Sequence, residues 1–396
     1  MPETTRHDVT LQVLGRISDI PAAAWDACAA GGAERPEPFV SHAFLSALEE
    51  AGCVGRRTGW MAQHLMLADA DGTPTGVVPA YLKSHSRGEY VFDQGWAEAF
   101  EGAGGSYYPK LQVAVPFTPV TGRRLLTRDP SDAAAMDVLG AGLVQLARRH
   151  DASSAHVTFA TQGEWEKLGD LGFLQRIDQQ FHWLNQGYGS YEDFLEALAS
   201  RKRKALRRER REALGEDITI EALTGPDLTE SAWDAFFAFY MDTGSRKWGQ
   251  PYLNRAFFSL IGARMADQVL LVMAKRAGRY IAGALNFIGA DTIYGRYWGA
   301  VEHHPFLHFE VCYHQAIDYA IARRLSVVEA GAQGEHKLAR GYLPRLTHSA
   351  HWIANADLRR AVARYLERER AHVRGMGEEL ADLGPFRRGA APEEQD

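Results

Sequence analysis

The chain has 396 residues, 46 % of them hydrophobic and 24 % charged, with a formal net charge of −6; it is too long for one ordinary domain, has the make-up of a globular protein, and is too acidic to be a general binder of DNA. Its three cysteines, Cys28, Cys53 and Cys312, form no CxxC pair, which excludes a disulfide framework and a cysteine zinc site. No apolar run approaches the ~20 residues that span a bilayer, and the opening MPETTRHDV lacks the apolar stretch of a signal peptide, so a cytoplasmic protein without a transmembrane segment is expected.

In chain order, two amphipathic helices are predicted over Pro21–Ala30 and Ser41–Ala51. LMLADADGTPTGVVPAYLKSHSRGEYVF, from Leu65, then reads as an apolar strand, a glycine turn, a second strand, another turn and an aromatic third strand. A long helix over Ser131–His150, capped by Asp129, Ser131 or Asp132, leads to the strand SAHVTFA. A short helix in EWEKLGDLGF and a final strand, QRIDQQFHWLN, complete the first half. The polar NQGYGS marks a boundary near Gly187–Gly189, and RKRKALRRERR, Arg201 to Arg211, opens the second half as a basic helix. The same order then recurs: helices over Ser231–Thr243 and Tyr252–Met265, three strands in VLLVMAKRAGRYIAGALNFIGADTIYGRYWG, a helix over Pro305–Arg324 and the strand SVVEAG. Gly76 and Gly283 occupy like positions about half the chain apart, so the sequence reads as a duplication. The expected class is α/β with mixed sheets, in two similar domains: residues 1–187, residues 188–384, and a frayed tail over 385–396.

This order resembles the tandem-GNAT acyltransferases of the FemAB-like group. RKRKALRRERR is similar to the basic helix that opens the second GNAT-like domain of Fem proteins. YYPKLQVAVPFTPVTG, LHFEVCYHQAIDYAI and EAGAQGEHKLARGY resemble a bacterial branch described as peptidoglycan-biosynthesis or GNAT-family N-acetyltransferase proteins. The resemblance implies transfer of an acyl or aminoacyl group to an amine, of a small molecule, a peptide or a cell-wall precursor. The co-substrate it implies is acyl-CoA or aminoacyl-tRNA, with no tightly bound cofactor. VPFTPVTGRRLL and GAVEHHPFLHFE lack the R/Q-x-x-G-x-G/A loop by which ordinary GNAT enzymes grip CoA. Fem-type relatives lack it too and use aminoacyl-tRNA. A ligand-recognition protein of the same fold, without activity, is the alternative from another class.

A GNAT-like site lies where two parallel strands separate, here near Tyr294–Gly299 and Val327–Glu329, and in the first domain near Val113–Phe117. Glu310 sits on a helix that is apolar almost all round, so it is either a general base or a structural partner of His314 or an arginine. Gly331 to Tyr342 carries Glu335, His336, Lys337 and Arg340 at a strand's carboxyl end. Glu335 is the rival base, His336 a further catalytic candidate, and Lys337 and Arg340 candidates for a carboxylate or phosphate. Glu310 and this cluster are expected to border one cleft. Tyr108, Lys110, Arg246 and Trp248 mix aromatic and basic character in loops, and with His308 are candidate substrate contacts. Arg201, Lys204, Arg208 and Arg211 recur at spacings of three and four, so one helix face can meet phosphates. An apolar stripe of Leu195, Leu198, Ala199, Ala205, Leu206 and Ala213 is expected opposite them. His304 and His308 have metal-ligand spacing but no third ligand, so no metal is expected.

Overall fold

The computed structural model describes residues 10–248, 251–331 and 334–387, apart from the side chains of residues 247, 248, 335 and 382. Two compact units emerge. One joins Met1–Asp178 to Thr347–Val373; the other joins Gln179–Leu346 to Arg374–Asp396. Neither unit is one continuous stretch, which departs from the single cut expected near Gly187–Gly189.

The first unit contains β1 (Thr10–Leu14), β2 (Trp60–Ala62), β3 (His64–Ala68), β4 (Pro74–Val78), β5 (Ala80–Lys83), β6 (Lys110–Val113), β7 (Leu126–Thr127) and β8 (Ser154–Ala160). β1, β3, β4 and β7 form one antiparallel sheet, and β2, β5, β6 and β8 lie side by side in another. Only β6 and β8 run parallel, with Leu111 opposite Ala155 and Val113 opposite Val157. The helix Ala133–Arg149 supplies the crossover, capped by the Asp132 carboxylate on Ala135 N at 2.9 Å. Its Leu139, Leu143 and Leu146 pack on Leu65, Leu111, Val113 and Val157. The expected aromatic third strand at Gly88–Phe92 is not one. The next strand after β5 is β6, and the helix Gln94–Gly102 precedes it.

β6 and β8 have two unlike faces. Leu111, Val113, Ala155 and Val157 belong to the core, whereas Lys110, Gln112, Ser154, His156 and Thr158 point the other way and are also buried. Lys110 Nζ donates to Glu89 Oε2 (2.6 Å), Asp93 Oδ2 (2.5 Å) and Ser86 Oγ (2.7 Å). Tyr107 donates to Asp93, and His156 Nδ1 meets His351 Nδ1 at 2.7 Å. Burial pushes the Asp93 carboxyl up, but Lys110, by its charge and its hydrogen bond, outweighs it and holds it low. Burial and then Lys110 take His156 down to about 3, so it is neutral.

The second unit is built on β9 (Leu174–Leu184), β10 (Ile218–Leu223), β11 (Val269–Arg276), β12 (Arg279–Ile288), β13 (Thr292–Ala300) and β14 (Val327–Glu329), with β15 (Leu343–Ile353) closing the chain's strands. The order is β10-β11-β12-β13-β14-β9, antiparallel except for β13 against β14. β9 was expected to finish the first domain; instead its end, His182 to Leu184, pairs with β14. The antiparallel neighbour of β8 is the end of β15, from His348 opposite Ala160 to Ile353 opposite Ser154. Each unit is thus closed by a strand that local sequence order does not supply. The helix Ala356–Asp382 was not anticipated either; its Leu358, Val362 and Leu366 pack with Trp96 and Tyr107. The tail was expected to fray from residue 385, yet Pro385 and Arg387 hydrogen-bond Ala199 and Ala197 through the main chain. Residues 388–396 lie outside the described residues. No described helix is long and apolar enough to cross a membrane.

Removing Lys110, the cation shared by two buried carboxylates, strands Asp93 and leaves Glu89 only the more distant Lys83, at 3.5 Å. Lys110→Met is expected to destabilise the protein by about 3–5 kcal/mol, measured by urea denaturation. Adding Glu89→Gln and Asp93→Asn should recover much of that loss.

Candidate active site

Pairing between β13 and β14 runs from Thr292 opposite Val327 to Tyr294 opposite Glu329 and stops there, although β13 continues to Ala300. A register shift leaves Arg296 as an extra residue on β13 between the partners of Leu285 and Asn286, and bends β13 beside the same point. The result is a cavity of about 140 Å³, lined among others by Asn286, Arg296, Trp298, His308, Cys312 and Tyr313. It lies where the sequence expectation put the strand opening of the second half. The crossover helix runs as Leu307–Phe309, a π turn over Glu310–His314, and Gln315–Arg323. That wider turn brings residues four and five apart onto one face, so His308, Cys312 and Tyr313 all line the cavity. Phe306, at the N-cap, has φ 62, and the helix begins after Pro305 rather than at it. His304 therefore precedes the helix and bonds Glu302 at 3.0 Å, so it does not share a face with His308.

Glu310 does not border this cavity. Arg210 clamps it through two bonds, Nε to Oε2 at 3.0 Å and a terminal nitrogen to Oε1 at 2.9 Å, and Gln315 adds a third at 2.7 Å. Fully buried, clamped by that arginine and outside the cavity lining, Glu310 belongs to a structural ion pair, and the general-base reading gives way to it. His314 bonds Tyr191 at 2.7 Å and Glu209 at 2.8 Å instead. Arg340 is engaged as well: Glu209 takes it bidentately at 2.8 and 2.5 Å, and its guanidinium lies 3.4 Å from the centroid of Phe309. Already neutralised, it is a poor anchor for a further anion. The Glu335 side chain lies outside the described residues.

His308, His336 and Lys337 do converge. His336 Nε2 meets the Tyr313 hydroxyl at 2.9 Å, and the His308 ring lies 5.5 Å from Tyr313 and 5.1 Å from Trp298. Lys337 is 1 % exposed and donates to Gly331 O at 2.7 Å. Burial, and then the positive charge of Arg296, bring its ammonium down to about 7. Near neutral pH it exists in both protonation states, as proton transfer requires. Asn286, Arg296, Cys312 and Tyr313 escaped the sequence reading. A single polar residue inside the buried run ALNFI was the one available signal, for Asn286.

The basic helix is Ser200–Leu214, separate from Tyr191–Ala197. Leu206 and Ala213 are buried, while Ala205, expected in the apolar stripe, is exposed. Glu209 and Arg210 complete the inward face through the pairs just described. Arg201, Lys204, Arg208 and Arg211 lie on the exposed face, where Arg208 pairs with Glu212. Arg246 is exposed and pairs with Asp242; the Trp248 side chain lies outside the described residues. In the first unit Tyr108 is half-buried with its hydroxyl 2.8 Å from Ser86 Oγ. Lys110, expected in a loop, is a fully buried strand residue held by Glu89 and Asp93, which removes it as a substrate contact.

The low value at Lys337 has a thermodynamic signature. Between about 7 and the ordinary 10.5, the unfolded chain keeps a proton on Lys337 that the folded chain has lost. Stability should therefore rise with pH across that window, by up to about 1.4 kcal/mol per pH unit. Lys337→Met should flatten the profile by that contribution, measured by urea denaturation over a pH series.

Among solved structures, FemX matches with 14 % identity and a TM-score of 0.55, covering 87 % of this chain and 98 % of that one. L-PGS from Bacillus licheniformis gives 9 % and 0.48, covering 81 % and 95 %. A tandem GNAT protein from the clavulanic acid biosynthesis pathway gives 12 % and 0.45, covering 88 % and 98 %. At such identities FemX supports the fold alone. No curated protein matches the chain in sequence. The profile of the FemAB-like family, described as peptidoglycan biosynthesis/recognition, matches residues 16–388, and the chain belongs to that family.

Proposed function

We propose that the protein transfers an acyl or aminoacyl group to an amine at the opening between β13 and β14. The observation that carries this is the cavity at the last paired residues of two parallel strands, with Lys337, whose electrostatic neighbours Arg296 and Cys312 line that cavity, brought near neutrality behind it. In the reaction the amine nitrogen attacks the carbonyl carbon of a thioester or ester and a C–N bond forms. Main-chain N–H groups on the β13 edge beyond Tyr294, with no β14 residue opposite them, are suited to stabilise the oxyanion. Neutral Lys337 takes the proton that the nitrogen sheds. The C–S or C–O bond then breaks, and the leaving group takes up a proton. His336, bonded to Tyr313, and His308 line the acceptor's approach.

The donor we favour is an aminoacyl ester on tRNA rather than a CoA thioester. The loop before the crossover helix, GAVEHHPFLHFE, has no glycine pattern to wrap a pyrophosphate, whereas Arg201, Lys204, Arg208 and Arg211 form an exposed cationic row. The family's description favours an acceptor amine belonging to a peptidoglycan precursor. That description also includes recognition, so a binding protein without turnover is the competing outcome.

Single-turnover assays with labelled aminoacyl-tRNA and with acetyl-CoA, each against a muropeptide precursor, test the reading. Transfer from either donor supports it; binding without transfer favours recognition. Lys337→Met should lower the rate by about 10²–10⁴-fold and remove a limb that rises with pH through about 7. Charge reversal at Arg201, Lys204, Arg208 and Arg211 should weaken tRNA binding and reduce the slope of log K against log salt by about 0.7–0.9 per lost contact. The melting temperature should hardly move, because exposed charges contribute little stability.

A further inference from the structure

The turn Glu335–Arg340 carries His336 and Lys337 and is bracketed by Gly334 at φ 120 and Gly341 at φ 85, conformations that favour glycine. A turn this short, set between two glycines, needs an outside anchor to keep one orientation. Arg340 supplies it. Its Nη1 donates to His336 O at 2.7 Å, the carbonyl of the peptide bond that leads into Lys337. Its guanidinium lies over the Phe309 ring, and its other donors go to Glu209. Arg340 is 5 % exposed, so without that carboxylate its charge is stranded. Glu209 has a second hold, because its Oε1 also meets His314 Nε2 at 2.8 Å. His314 follows Tyr313, whose hydroxyl meets His336. One carboxylate thus ties the π turn of the crossover helix to the turn that carries Lys337. Burial pushes the Glu209 carboxyl up, but the bonds from His314 and Arg340 outweigh burial and hold it low. Among the described residues, the charged or titratable groups about Lys337 are Arg296 on β13, Cys312 on the crossover helix, His182 on β9 and the adjoining His336. Glu209 is not one of them, so it reaches Lys337 through placement and not through its field.

We propose that Glu209 is a positioning residue: through Arg340 it fixes the peptide between His336 and Lys337, and through His314 it fixes the helix face opposite. That the groups so placed serve transfer rests on the transferase reading; the clasp itself does not. Both Glu209 oxygens are engaged inside the protein, so its part is to hold Lys337 and His336 against Tyr313 rather than to touch a substrate. The neighbouring pair of Arg210 with Glu310 supplies the contrast. It springs from the same helix and is as well bonded, but it braces the crossover helix alone. Loss of either pair leaves a buried charge stranded. Only loss of the Glu209 pair frees the turn that carries Lys337.

Lysine labelled with carbon-13 at Cε reports each ammonium group by NMR, and Lys337→Met assigns the signal that titrates near 7. Glu209→Gln is expected to move that midpoint upward by about one pH unit or more, toward the ordinary 10.5, as the freed turn lets water reach the amine. In single-turnover transfer the same variant should lower the rate at saturating acceptor by about 10²-fold, with little change in the acceptor concentration at half-saturation. Arg340→Lys, which keeps the charge but loses the fork, should reproduce both effects. Glu310→Gln should lower the melting temperature yet leave the Lys337 midpoint in place. Glu209→Met combined with Arg340→Met removes both charges together, which preserves the fold, and should still show the shift. An unmoved midpoint in Glu209→Gln and in the double variant overturns the proposal. The same shift in Glu310→Gln overturns it too, by making general loosening the cause, as does a moved midpoint with an unchanged transfer rate. If the midpoint moves as expected and no donor supports transfer, the clasp stands and the transferase reading falls.

Discussion

Charges buried in opposite pairs organise the second unit. Two consecutive residues of the basic helix reach inward: Glu209 holds Arg340 and His314, and Arg210 holds Glu310 and Asp318. Each charge satisfies another, and breaking one partner leaves the other stranded. Through these bonds the basic helix fixes the crossover helix at its π turn and the turn that carries His336 and Lys337. The cavity-lining side chains are in place because residues on their far side are clamped. The exposed cations Arg201, Lys204, Arg208 and Arg211 take no part in these pairs.

The same logic separates two lysines that titrate alike. Lys83 and Lys337 are each taken by burial to about 7. Lys83 lies over the Trp60 ring and pairs with Glu89 in a network that also holds Lys110 and Asp93. That charge is balanced internally and closed off. Lys337 has a main-chain oxygen for its partner and Arg296 for its neighbour, beside a cavity. Of two depressed lysines, the one balanced by carboxylates is a structural feature, and the other is the one suited to the proton-acceptor role proposed above.

Periodicity carried most of the fold. The alternating strands, the long crossover helices and the Asp132 cap were all legible, because they depend on residues a few positions apart. The site was less so. Glu310 looked like a base because its neighbours in sequence are apolar; its partner Arg210 lies a hundred positions earlier, on a helix that reads as surface. Lys110, in SYYPKLQ, looked like a loop residue because Tyr and Pro precede it, yet it begins a strand. No local pattern announces a π turn, so the common face of His308, Cys312 and Tyr313 could not be read. Asn286 was visible as the odd residue in an apolar run; its place in the cavity wall was not.

The out-of-order closing strands bear on how the chain is born. β8 receives its antiparallel neighbour only from His348–Ile353. While a ribosome is still adding the middle of the sequence, β8 has an open edge, a template for pairing with the wrong chain. The first unit cannot close as it emerges, although domains commonly do. Its last pairing spans nearly two hundred residues, and contacts of that separation form slowly. The polar, fully buried row on β8, with Ser154, His156 and Thr158, suits such a wait: an edge whose one face is hydrophilic is less adhesive than one apolar on both.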